Sequence, residues 1–254
     1  MKSKFISVLF VFVLSVSITA CSNKSSSDIQ NNSSVSNNES SGVSISTSSS
    51  TTSVKASSDS KSTQASSEKK LVMEAYKAVL QNKTTFFSTD NKKNVYLKDL
   101  LTNKELYGTV FKVTHFAVLD MDGDNIPEVV LELTVGNDVQ FYEVLHYMNN
   151  EVYGYIQVLR GLQELKADGT FNYSNGALDN GYGKLTFKSD ICETNILGYC
   201  QPSTTDSTTE LYFINNKSVT EELYKSYVKE QGDKKDTVWY DFTSEYIEKE
   251  LSIL

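Results

Sequence analysis

The sequence predicts an α+β domain: an antiparallel β meander flanked by N- and C-terminal helices. Three observations carry this. Apolar residues recur at helical spacing just after residue 68 and again near the C-terminus. Between them, β-branched and aromatic residues gather into short runs parted by polar turn residues. Composition also changes abruptly at Lys69, after which every tyrosine and the single tryptophan are found. The stretch 69–254 is a suitable size for one domain with a full core.

Leu71, Val72, Ala75, Tyr76, Val79 and Leu80 recur every three or four residues, which predicts an amphipathic helix from about Glu68 to Gln81. Tyr96 to Tyr107 carries Leu97, Leu100 and Leu101 and reads as a second, shorter helical region. Four strands are expected next: His115–Leu119, Val129–Val135, Val139–Met148 and Val152–Leu159. Asp168-Gly169 and Asn180-Gly181 are hairpin turn signals, so neighbouring strands should pair antiparallel. Leu211–Ile214 is a further strand, followed by an Asn215-Asn216 turn. Ser218 and Glu221 have capping-box spacing for a helix through Val228. Val238–Phe242 closes the strands, and Thr243 caps a last helix bearing Tyr246, Ile247, Glu250 and Leu251.

Lys2 and Lys4 precede an apolar run, Phe5 to Ile18, that is too short to span a bilayer comfortably but fits the core of a signal peptide. The run ends in Ile18-Thr19-Ala20-Cys21, which resembles the lipobox of bacterial lipoproteins. That resemblance implies cleavage after residue 20 and a diacylglycerol thioether on Cys21, with two acyl chains sufficient for stable anchoring. The expected location is the extracytoplasmic face of a membrane. Residues 21–68 are Ser, Thr and Asn with scattered charges, and cannot bury enough apolar surface to offset the entropy of ordering. They read as a disordered tether with a reach of roughly 40 Å. The net charge of -8 and the absence of a Lys/Arg cluster argue against nucleic acid as a partner.

The stretch richest in chemistry is Asp120-Met121-Asp122-Gly123-Asp124-Asn125-Ile126-Pro127-Glu128. Oxygen-bearing residues alternate with residues that turn the chain, and a tight loop of that pattern can converge on calcium, which takes six to eight oxygen ligands. The expected ligands are the carboxylates of Asp120, Asp122, Asp124 and Glu128, the carbonyl of Ile126, and water. A divalent ion would offset the repulsion among the four charges. Strands are expected on both sides, Phe116–Leu119 entering and Val129–Leu131 leaving. The loop thus resembles the DxDxDGxxD hairpins of FG-GAP repeats, with Asn125 where Gly is usual and Glu128 in place of the last Asp. A single such loop does not imply a propeller. The run from Phe116 through Glu250 is similar to secreted and lipoprotein domains of Gram-positive bacteria that share one such hairpin, a group without an assigned activity.

Cys192 and Cys200 form an even pair in a compartment that permits disulfides, which predicts a bond closing a hairpin loop, with two separate buried thiols as the alternative. No G-x-S-x-G, H-E-x-x-H, P-loop or dinucleotide fingerprint is present, so an enzyme is not the leading expectation. If Asn149-Asn150 is a two-residue turn, Met148 pairs with Glu151, His146 with Tyr153, Val144 with Tyr155 and Tyr142 with Gln157. Tyr142, His146, Tyr153 and Tyr155 would then share one face, either a patch for stacking on a cell-wall glycan or an envelope protein, or the rim of a core covered by a helix. The expected function is a calcium-stabilised binding module. The alternatives are an envelope hydrolase and a passive subunit of an envelope complex.

Overall fold

The computed structural model describes residues 59–176, 179–205 and 209–252. The signal-like segment, Cys21 and the tether up to residue 58 lie outside the described residues. The fold is α+β, with two antiparallel meanders in place of the one expected. The first sheet contains β1 (Phe86–Ser88), β2 (Lys93–Val95), β3 (Lys112–Leu119), β4 (Glu128–Val135), β5 (Asp138–Met148), β6 (Glu151–Val158) and β12 (Tyr240–Asp241), in the order β12-β3-β4-β5-β6-β1-β2. The second contains β7 (Thr170–Gly176), β8 (Asp179–Phe187), β9 (Cys192–Pro202), β10 (Glu210–Ile214) and β11 (Lys217–Val219), in the order β11-β10-β9-β8-β7.

Helix α1 spans Asp59–Leu80 and begins within the stretch expected to be tether, so residues 59–68 are helical. Its stripe of Val72, Met73, Tyr76, Val79 and Leu80 packs on Phe116, Val129, Leu131, Leu133 and Leu145 of the first sheet. Leu71 lies off that stripe and is exposed. The short helices α2 (Leu97–Leu101) and α3 (Lys104–Tyr107) and the terminal α5 (Ser244–Glu250) cover the same face. Thr243 caps α5 as expected, accepting a hydrogen bond from Tyr246 N at 3.3 Å. Helix α4 (Glu221–Gly232) lies instead on the outer face of the second sheet. Its Tyr227 ring is close enough to Gly198 that a Cβ there would stand 2.5 Å from it. The cap of α4 is Thr220, whose hydroxyl accepts from Leu223 N, and not Ser218, which pairs within β11.

The opposite face of the first sheet is covered too. Ala117, Leu119, Val130, Tyr142 and Val144 form a second core with Phe171, Tyr173 and Leu185 of the second sheet. The central strands therefore have no solvent face. Strands β7, β8 and β9 lie in a region where the sequence marked turns and named no strand. Asn180-Gly181, expected at a hairpin turn, sits inside β8, opposite Cys200 and Tyr199. A Cβ on Gly181 would stand 2.2 Å from the carbonyl oxygen of Gly198, so glycine serves close strand packing there and not a turn.

Two site expectations fail for related reasons. Cys192 and Cys200 are both free thiols on β9. At ~3.3 Å per residue in an extended strand they stand roughly 25 Å apart, far beyond the ~7 Å limit for a disulfide. The face of Tyr142, His146, Tyr153 and Tyr155 forms with the expected register, pair by pair, but three of the four are interior. Tyr142 packs on Trp239 with ring centroids 5.9 Å apart, and His146 stacks on Phe187 at 4.4 Å. The Tyr155 hydroxyl donates to the Lys188 carbonyl at 2.5 Å. Tyr153 alone is half-exposed, beside Phe87 of β1. The second sheet, not a helix, covers this face.

Candidate metal centre

The β3–β4 connection places Asp120, Asp122 and Asp124 together, with one carboxylate oxygen of each within 4.8 Å of the other two. The local cause is a series of side-chain-to-backbone hydrogen bonds of the kind short acidic side chains make. Asp120 accepts from Gly123 N at 2.6 Å and from Asn125 N at 3.0 Å. Asp122 accepts from Asp124 N at 3.1 Å, and Asp124 from Ile126 N at 2.7 Å. Gly123 and Asn125 take left-handed φ values of 90° and 72°, so the asparagine adopts the conformation that glycine usually supplies. Partial burial, with the Asp124 charge second, pushes the Asp122 carboxyl above its ordinary range. These three carboxylates could hold a metal ion.

Glu128 does not join them. It is fully buried beneath the loop, where its Oε2 accepts from Met121 N at 2.6 Å and its Oε1 lies 2.8 Å from His146 Nδ1. Burial pushes this carboxyl up to about 7, opposed by the His146 and Met121 hydrogen bonds. The extra methylene that distinguishes Glu from Asp gives the side chain the reach to turn back under the loop. Ile126, expected to offer its carbonyl, packs its side chain against the helix-covered core.

Two further residues reach the loop from the second sheet and its approach. At the Asp168-Gly169 turn, a Cβ on Gly169 would stand 2.5 Å from the Met121 carbonyl oxygen, and Gly169 has φ 79°. This turn buttresses the loop backbone. The Lys184 ammonium, from β8, lies 3.4 Å from where a Cβ on Gly123 would be, which puts a positive charge beside the acidic loop. Neither contact could be found from sequence spacing, because both cross from one sheet to the other. On the other side, a cleft of about 470 Å³ is lined by Lys69, Met73, Asp120, Asn125, Tyr240 and Glu250, among others.

No known protein family, curated protein or solved structure matches this chain. The likeness of the loop to FG-GAP hairpins therefore rests on its own residues. Among the described residues, no helix is long and apolar enough to cross a membrane.

Proposed function

We propose that this protein is a lipid-anchored, extracytoplasmic binding module whose Asp120–Asp124 loop holds calcium and presents it to the adjoining cleft. The observation that carries this reading is the convergence of three carboxylates at a turn that opens onto a cleft. Calcium takes six to eight oxygens and Mg²⁺ strict octahedral geometry. With Glu128 turned inward, three carboxylates and a backbone carbonyl leave positions for water or ligand oxygens, which suits the more flexible ion. The cleft supplies the Tyr240 ring and the Lys69 and Glu250 charges beside those positions. An oxygen-rich ligand such as a cell-envelope glycan fits that chemistry, and the cleft replaces the interior tyrosine face as the binding surface. The membrane location rests on the lipobox-like Ile18-Thr19-Ala20-Cys21.

Melting temperature in calcium and in chelator is the direct test. At a hundredfold excess over its dissociation constant, an ion bound only by the folded state adds about 2.7 kcal/mol. Calcium should raise the melting temperature of the wild type, and Asp122→Ala should abolish that response while leaving the chain folded. Retention on purified cell-wall glycan should require calcium. Identical melting in calcium and chelator overturns the metal, and calcium-independent retention overturns the cleft as the metal's partner.

A further inference from the structure

Glu143 is the most anomalous side chain of the central sheet. It lies on β5 between Phe141 and Leu145, facing the helix-covered core, with Leu131 and Ile156 opposite it on β4 and β6. Its carboxyl is fully buried, and neither oxygen has a hydrogen-bond partner among the described residues. A charged carboxylate left so would be strongly unfavourable, whereas the neutral acid is tolerable. The carboxyl also packs closely over Gly154. A Cβ on Gly154 would stand 2.2 Å from Glu143 Oε1 and 2.4 Å from the Phe86 ring, so Glu143 and Phe86 together fill the space above that glycine.

Phe86 opens the β1–β2 hairpin, which forms one edge of the sheet and pairs with it through β1 alone. Its pairing with β6 comprises Phe87 opposite Tyr153 and Ser88 opposite Gly154, in parallel. Thr89 adds two bonds to the Gly154 carbonyl, from its N at 3.0 Å and its hydroxyl at 2.9 Å. Asp90 in the hairpin turn accepts from Ile156 N at 3.4 Å. Phe86 and Val95 seat the hairpin in the helix-covered core, and Phe86 rests there beside the Glu143 carboxyl.

The geometry points to the protonated Glu143 carboxyl as a latch that holds the β1–β2 hairpin on the sheet, with loss of that proton releasing the hairpin. The titratable groups whose charges bear on Glu143 are Asp90 in the hairpin turn, Tyr107 on α3 and, from the opposite face of the sheet, Cys192 on β9. None is a cation, so none stabilises the ionised form. Burial first, and the Asp90 charge second, holds the Glu143 carboxyl well above the ordinary carboxylate range. The folded pKa is raised, so the latch is complete below the ordinary range and is lost as pH rises through the folded value. Rising pH loosens the hairpin.

Hydrogen exchange of the Phe86–Val95 segment between pH 5 and 9, corrected for intrinsic exchange rates, reads this directly. In the wild type, protection should fall by about tenfold per pH unit across the window between the open and closed pKa values. Glu143→Gln, which keeps the shape and removes the proton equilibrium, should give a flat profile, and Glu143→Met serves if the glutamine variant does not fold. Asp90→Asn should end the sloping window at lower pH, because it removes the charge that adds to the raised pKa. A wild-type profile that is flat, or a slope that survives in both neutral variants, overturns the latch.

Discussion

Glu128 and His146 show how one side chain's length redirects a site. An acid at the ninth position of the loop matches the calcium pattern, yet here it caps Met121 N and meets His146 in the interior. Removing one partner of such a buried pair leaves the other charged or unpaired, at a penalty of about 3–5 kcal/mol. His146→Ala should therefore lower unfolding free energy by about that amount in urea melts, a loss enlarged by the missing stack on Phe187. A change below about 1 kcal/mol would mean the pair is dispensable. Glu143 was partly legible at this scale. Period-two alternation puts it on the same face as Phe141, Leu145 and Tyr147, where a carboxylate is out of place. What the sequence does not carry is that no donor arrives to meet it.

At the scale of elements, the β5–β6 hairpin was legible residue by residue and β9 was not. Asn149 and Asn150 have φ 53° and 62°, the left-handed pair that a two-residue turn requires, and this fixes every pairing that follows. In β7 to β9 the alternation is diluted by Asn, Ser, Thr and Gly, so no apolar run announces a strand. For that reason the spacing of Cys192 and Cys200 suggests a loop between them, whereas they lie along one extended strand. Three consequences can be measured. Both thiols should react with an alkylating reagent in the unfolded, unreduced protein, and a reductant should leave the melting temperature unchanged. In the folded protein Cys192 should react slowly at neutral pH, since burial pushes its thiol up to about 11. Recovery of a single disulfide-linked species would contradict this strand assignment.

For the whole molecule, the decisive feature is that the first sheet is covered on both faces. Helices α1, α2 and α5 take one, and the second sheet takes the other. This converts the tyrosine face from a surface into a core and leaves the acidic Asp120–Asp124 loop, at an end of the sheet, as the exposed chemistry. Cys21→Ser should release the protein into the medium or leave its precursor uncut, as judged by detergent-phase partitioning and the mass of the mature chain. A processed Cys21→Ser protein that still partitions into detergent would remove the lipid anchor from the account.

The sequence alone determined what depends on near neighbours along the chain: the fold class, the helix stripe on α1, the Asx-stabilised loop from Asp120 to Asp124, and the β5–β6 register. Each follows from spacing, turn chemistry or a local hydrogen bond between residues a few positions apart. Tertiary structure decided what depends on which surface meets which. Parity along β5 and β6 sorts residues onto two faces, but it cannot say whether a face meets water or another sheet. Burial, and with it the fate of Tyr142, His146, Tyr155, Glu128 and Glu143, is set by packing between segments far apart in sequence, and no local pattern encodes that.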